Sequence, residues 1–179
     1  PSSELLADLR ATKPALRALV DLVFALDREY GERKRRADAC DFSDVEHLCV
    51  RLLCEENSET PSPLADRISA RFAEVMVDEY QDVNAVQELI FRRVSGDGRR
   101  LFMVGDVKQS IYRFRLAEPE IFNRKLREFA GREDVGRVLL RENFRSRGSV
   151  LDACNAVFER IMSPSLGDIR YDEDARLVR

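Results

Sequence analysis

The chain has 179 residues, of which 44% are hydrophobic and 35% charged, with a net charge of −3 and a pI near 5.4. That balance gives no general affinity for nucleic acid, so such binding has to come from local patches. Four cysteines without a Cys-x-x-Cys pair, one histidine (His47) and no apolar run of spanning length argue against a zinc site, histidine-dependent nucleophilic catalysis and a membrane protein. A cytoplasmic chain with reduced thiols is expected.

Pro1-Ser2-Ser3-Glu4 enters a helical pattern with no initiator Met, which reads as a piece of something longer. Leu16, Leu19, Val20, Val23, Phe24 and Leu26 recur at helical spacing within residues 13–35. The basic run from Glu32 to Arg36 is either a solvated helix end or a phosphate contact. A second helix starts near Asp41-Phe42-Ser43-Asp44-Val45, where Ser43 and Glu46 have capping-box spacing. Residues 57–63 are loop by composition, and a short helix is expected over 64–72.

Apolar strands are expected at 73–77, 101–104 and 138–140, with helices after 82, over 118–130 and over 147–162. Short all-apolar strands alternating with helices predict a parallel sheet covered on both faces, so the second half is α/β and the first half all-α. In such sheets ligands bind at the carboxyl ends of the strands. All three strand ends carry chemistry: Asp78-Glu79, then Gly105-Asp106 through Gln109-Ser110, then Asn143-Phe144-Arg145. By itself the first is either a metal-binding acid pair or a solvated acidic turn. Gln109 can donate to and accept from a phosphate or water. Tyr112, Arg113, Phe114 and Arg115 interleave rings with guanidinium groups, suited to stacking on unpaired bases or to an amphipathic strand.

In order, these segments resemble the superfamily 1 DNA helicases of the UvrD/Rep/RecB group. Asp78-Glu79-Tyr80-Gln81-Asp82 resembles their motif II, Gly105 to Arg115 motif III, and Leu140 to Ser146 motif IV. Asp41-Phe42-Ser43-Asp44-Val45 is similar to a helix start these proteins carry before motif II. Repair helicases often have an acidic residue at 108 and glycine at 116, where this chain has Lys108 and Leu116. The run from Lys108 to Pro119, Asn143 to Arg147, and Tyr171 to Ala175 look most like the AddA-type branch, which pairs a helicase with a nuclease.

The resemblance implies ATP and Mg²⁺ as cofactors, DNA as partner and a second helicase–nuclease subunit of the AddB kind. It implies that Asp78 coordinates Mg²⁺, with Gln81, Asp82 and Phe144 also at the nucleotide, Phe144 against the adenine. Glu79 would orient or deprotonate the attacking water, Gln109 would sense the γ-phosphate, and Arg145 would be an arginine finger. Tyr112, Phe114 and Arg115 would contact single-stranded DNA. The implied fold is a partial parallel sheet of the RecA-like P-loop NTPase kind, flanked by helices and preceded by an all-α segment. Residues 1–62 would end an inserted helical subdomain, 63–135 the first motor lobe, and 136–179 would begin the second. No Gly-x-x-x-x-Gly-Lys-Ser/Thr cradle occurs in the sequence, so the chain alone is expected to be inactive. A repair helicase without a nuclease, and a non-catalytic fold unit, are the alternatives.

Overall fold

The structure is a computed structural model and describes residues 3–112, 114, 116–130, 132, 134–166 and 169–179, with side chains from Leu6 onward. The chain divides into two compact units, Pro1–Val45 and Glu46–Arg179.

The first unit is dominated by α1, Ser3–Arg36. Its apolar residues stay open to solvent, Leu16, Val20, Val23 and Phe24 among them. Asp38 takes a left-handed conformation (φ 50°) after the last turn, and the Ala39 amide donates to the Lys34 carbonyl, closing the helix. The helix α2, Phe42–Leu53, starts at Asp41. The expected Ser43–Glu46 capping box is not what starts it. Asp41 Oδ1 accepts from the Asp44 amide at 2.8 Å, and Asp44 Oδ2 accepts from the Asp41 amide at 3.0 Å, a reciprocal box two residues earlier. Lys34 Nζ binds both carboxylates, at 3.0 Å and 2.6 Å, and this cation selects the aspartates over the serine.

In the second unit Ser62 caps α3, Pro63–Ser69, accepting from the Ala65 amide at 3.2 Å. The strand β1, Val75–Val77, leads through a 3₁₀ turn, Tyr80–Asp82, to α4, Ala85–Val94. Asn84 and Gln87 form a capping box at its start. The strand β2, Leu101–Met103, is followed by a second 3₁₀ turn, Val107–Gln109, and by α5, Pro119–Phe129, and α6, Gly148–Ile161.

β1 and β2 pair in parallel with Val75, Met76 and Val77 opposite Leu101, Phe102 and Met103. A β-α-β connection of this kind is what an all-apolar strand, a helix and a second apolar strand produce. Val77, Leu101 and Met103 face a core of Tyr80, Val83, Val107, Ile121 and Phe122, joined by Phe91 of α4, Leu126 of α5 and Ile169. The other face carries Met76 and Phe102, 71% and 52% exposed, so the sheet is covered on one side rather than both. Both flanking helices supply their apolar residues to the same face.

The third expected strand is also not formed. Val138 and Leu140 are 81% and 80% exposed, and residues 136–141 join no ladder. Backbone pairing begins at Arg141, whose carbonyl accepts from the Val178 amide, and centres on Glu142, opposite Val178. No backbone hydrogen bond among the described residues ties the amides of residues 138–140 to a neighbouring strand.

Candidate functional site

Two strand ends carry the centre of the site. The backbone keeps pairing beyond the strands: the Val104 amide donates to the Val77 carbonyl at 2.9 Å, and the Tyr80 amide to the Val104 carbonyl at 2.8 Å. This lays residues 78–82 against residues 104–107. Asp78 is exposed, and its Oδ1 accepts from the Glu79 amide at 2.8 Å. Glu79 is left-handed, with φ 51° and ψ 42°, an uncommon conformation for a residue with a Cβ. It turns the chain so that Tyr80 points inward while both acids stay in solvent.

Gln81 is 1% exposed. Its Nε2 donates to Glu79 Oε2 at 2.7 Å, and its Oε1 accepts from the Asp106 amide at 2.9 Å. Asp106 in turn receives the Lys108 amide at 3.1 Å and Lys108 Nζ at 2.8 Å on one oxygen, and Gln109 Nε2 at 3.0 Å on the other. Glu79, Gln81, Asp106 and Gln109 therefore form one hydrogen-bonded chain. Asp82 sits beside it with a buried Oδ1 that has no hydrogen-bond partner among the described residues. Loss of solvent, and then the Glu79 charge, push its carboxyl above the ordinary value.

Beyond Gln109 the chain presents Tyr112 and Phe114, rings 5.8 Å apart and tilted by 56°. Phe114 is 75% exposed, and Ile111 and Leu116 beside it are also open. Arg113 and Arg115 lie outside the described residues. The third cluster is a turn at residues 143–146. Asn143 Oδ1 accepts the amides of Arg145 and Ser146 at 3.1 Å and 2.8 Å, a tight turn that leaves Phe144 and Arg145 exposed. No hydrogen bond or ion pair among the described residues joins either side chain to the Asp78–Gln109 cluster.

The donor set suits Mg²⁺ bound together with a phosphate. Among the described residues no three His, Cys, Asp or Glu side chains converge to hold a metal by themselves. Mg²⁺ takes one or two carboxylates and completes its shell with water and phosphate oxygens, and Asp78 offers an exposed carboxylate oxygen for that.

Sequence reasoning missed two groups. One is the mostly buried trio behind the acidic turn: Tyr80 donates its hydroxyl to Glu88 Oε2, and Lys125 Nζ lies 2.7 Å from Glu88 Oε1. Burial, then the bond to Glu88, push the Tyr80 hydroxyl far above its usual range. The other is the pairing of residues 141–143 with Val178, held from behind by Asn155. Both link residues distant in sequence, which a local pattern does not reveal.

Two parallel strands joined through a helix, with acids at the end of one and a polar loop with exposed rings at the end of the other, suit coupling phosphoryl chemistry to a stacked ligand. Residues 4–130 match the family model of the UvrD/REP helicase N-terminal domain, and the chain belongs to this family. It is 46% identical over 186 residues to the A subunit of an ATP-dependent helicase/nuclease from Pelotomaculum thermopropionicum, covering 99% of this chain and 15% of that protein. The protein of the same name from Desulforudis audaxviator is 48% identical, over 98% of this chain and 15% of its own length. That from Bacillus pumilus is 45% identical, over 96% of this chain and 15% of its length. The chain thus spans about 15% of the length of these relatives.

Proposed function

We propose that this chain carries half of the ATP-hydrolysis site, and the element coupling it to DNA, of an ATP-dependent DNA helicase of the AddA-type helicase–nuclease branch. That protein would translocate on and unwind DNA in double-strand-break repair and recombination, beside a second subunit of the AddB kind. The observation that carries this is the unbroken hydrogen-bonded line from Glu79 through Gln81 and Asp106 to Gln109, three residues before Tyr112. The β1–β2 pair would be part of a RecA-like P-loop NTPase sheet. The lobes would divide at residues 62/63 and 135/136.

Asp78 would hold Mg²⁺, which neutralises charge on the transferring phosphoryl group when bound. Glu79 would orient or deprotonate the attacking water, and Gln109 would meet the γ-phosphate. Asp82 would lie at the rim of the nucleotide site. Arg145 and Phe144, from the third cluster, would meet the γ-phosphate and the adenine. An arginine so placed contributes about 10³–10⁵ in rate. Tyr112, Phe114 and Arg115 would stack on and hold unpaired bases, each stack contributing about 1–3 kcal/mol.

The test is Phe114→Ala in the whole helicase protein. DNA-stimulated ATPase and unwinding should fall while ATP binding is kept, and unchanged unwinding refutes the assignment. The 179-residue chain by itself has no phosphate-cradle sequence. A phosphate-release assay on it should show no turnover above background.

A further inference from the structure

The sequence motif presents Gln81 as one more polar residue at the nucleotide, but its side chain is 1% exposed and both of its ends are occupied inside the protein. The orientation of the amide is fixed by its partners. The Glu79 carboxylate can only accept, so it faces Nε2, and the Asp106 amide can only donate, so it faces Oε1. A hydrogen bond from Ser110 Oγ to the Gln81 carbonyl, 3.4 Å long, adds a second tie to the same loop. Gly105 shows how tightly this is built. A Cβ there would stand 2.7 Å from Gln81 Oε1, 3.0 Å from Phe122 Cε1 and 3.2 Å from the Gln81 amide nitrogen. The loop after β2 can lie this close to Gln81 only because residue 105 has no side chain.

We infer that Gln81 is a positioning residue: a buried crossbar that sets the Glu79 carboxylate by the position of the Gly105–Gln109 loop. The inference rests on the helicase reading above. In that reading the loop leads into the base-stacking rings, so DNA engaging Tyr112 and Phe114 moves Asp106, and Gln81 carries the shift to Glu79. Gln81 touches neither nucleotide nor DNA. Of the two carboxylates beside Glu79, Asp78 bonds its own neighbour's amide and takes no part in this tie, while Asp82 keeps Oδ1 unpartnered and is touched by the same Gln81 amide, which partly offsets the rise of its carboxyl.

Two variants in the whole helicase protein separate the two ends. Gln81→Glu keeps an acceptor for the Asp106 amide and replaces the donor to Glu79 by a like charge. Gln81→Met keeps the volume and removes both bonds. In each, DNA-stimulated kcat should fall about 10- to 100-fold, the usual effect of losing a group that orients a working side chain. KM for ATP should stay within about twofold, since no ground-state contact is lost. If Gln81 only fills space, Gln81→Met keeps the DNA-stimulated kcat, and that result overturns the inference. A fall in kcat matched by a rise in KM and a lower Tm also overturns it. If the unsubstituted protein shows no DNA-stimulated ATPase, the helicase reading fails first and the inference falls with it.

Discussion

Leu116 is the residue whose conformation is hardest to explain by folding alone. Its φ is +66° and it is 75% exposed, so it has left-handed strain and an apolar side chain in water. Relief of the strain, less the extra freedom glycine has when unfolded, predicts that Leu116→Gly stabilises the chain by about 0.5–1 kcal/mol. A urea midpoint that stays put or falls would show that the backbone there is relaxed. Asp82 gives a prediction of the opposite cause. Its carboxyl is raised by lost solvent and by Glu79, so ionisation at neutral pH weakens the fold, and the penalty disappears as pH falls through the raised value. Asp82→Asn should therefore raise Tm near pH 7, and the gain should shrink in acid. A gain that does not depend on pH would refute the electrostatic cause.

Helices were the most legible elements, because apolar residues three and four apart leave one solution. The two strands that pair were legible for the opposite reason, as short apolar runs each followed by a polar turn. Residues 138–140 have the same composition and form no strand, since pairing depends on what lies beside a segment. The helix start at residues 41–45 was legible, but its capping pair lies two residues before the expected Ser43 and Glu46, where Asp41 and Asp44 also bind Lys34, seven residues upstream of Asp41. Asp41 is held down at about 2, first by the Asp44 amide and then by Lys34, against an ordinary 3.8. On acidification the unfolded chain takes its proton before the folded one does. The stabilisation from Asp41 is thus whole above pH 3.8 and lost as pH falls toward 2. Amide exchange at Asp44 should lose its protection across that window, and protection kept at the bottom of it would show that the box does not depend on the charge. In the second unit, Glu88 joins the acidic turn, α4 and α5 through Tyr80 and Lys125. Glu88→Ala strands a mostly buried ammonium and a buried hydroxyl, and should cost about 2–3 kcal/mol by urea unfolding. A cost within about 0.5 kcal/mol would mean that water replaces the carboxylate easily.

At the level of the whole molecule, the placement of Asp78 and Asp106 at neighbouring strand ends was readable from sequence, and the wiring between them was not. Gln81 and Asp106 are 25 residues apart, and nothing in either local pattern announces the bond. The same holds for Asn155, 2% exposed, which donates to the Leu177 carbonyl at 2.9 Å and accepts from the Tyr171 hydroxyl at 2.6 Å. Asn155→Ala should free residues 171–178 to limited proteolysis while leaving 75–103 protected, and equal cleavage in both proteins would show that the segment is held by other contacts. Among the described residues no helix is long and apolar enough to cross a membrane. The parallel pairing of Val75–Val77 with Leu101–Met103 has a consequence for the order of assembly. Its partners are about 26 residues apart, so the entropy of closing that loop is modest, growing only with the logarithm of length. During synthesis the residues that bond and pack against the acidic turn, as far as Lys125, leave the ribosome before Val178 exists to pair with Arg141 and Asn143. Pulse-labelled refolding should show the Tyr80 and Val104 amides protected in an earlier phase than the Asn143 amide, and simultaneous protection would mean that the whole unit condenses at once.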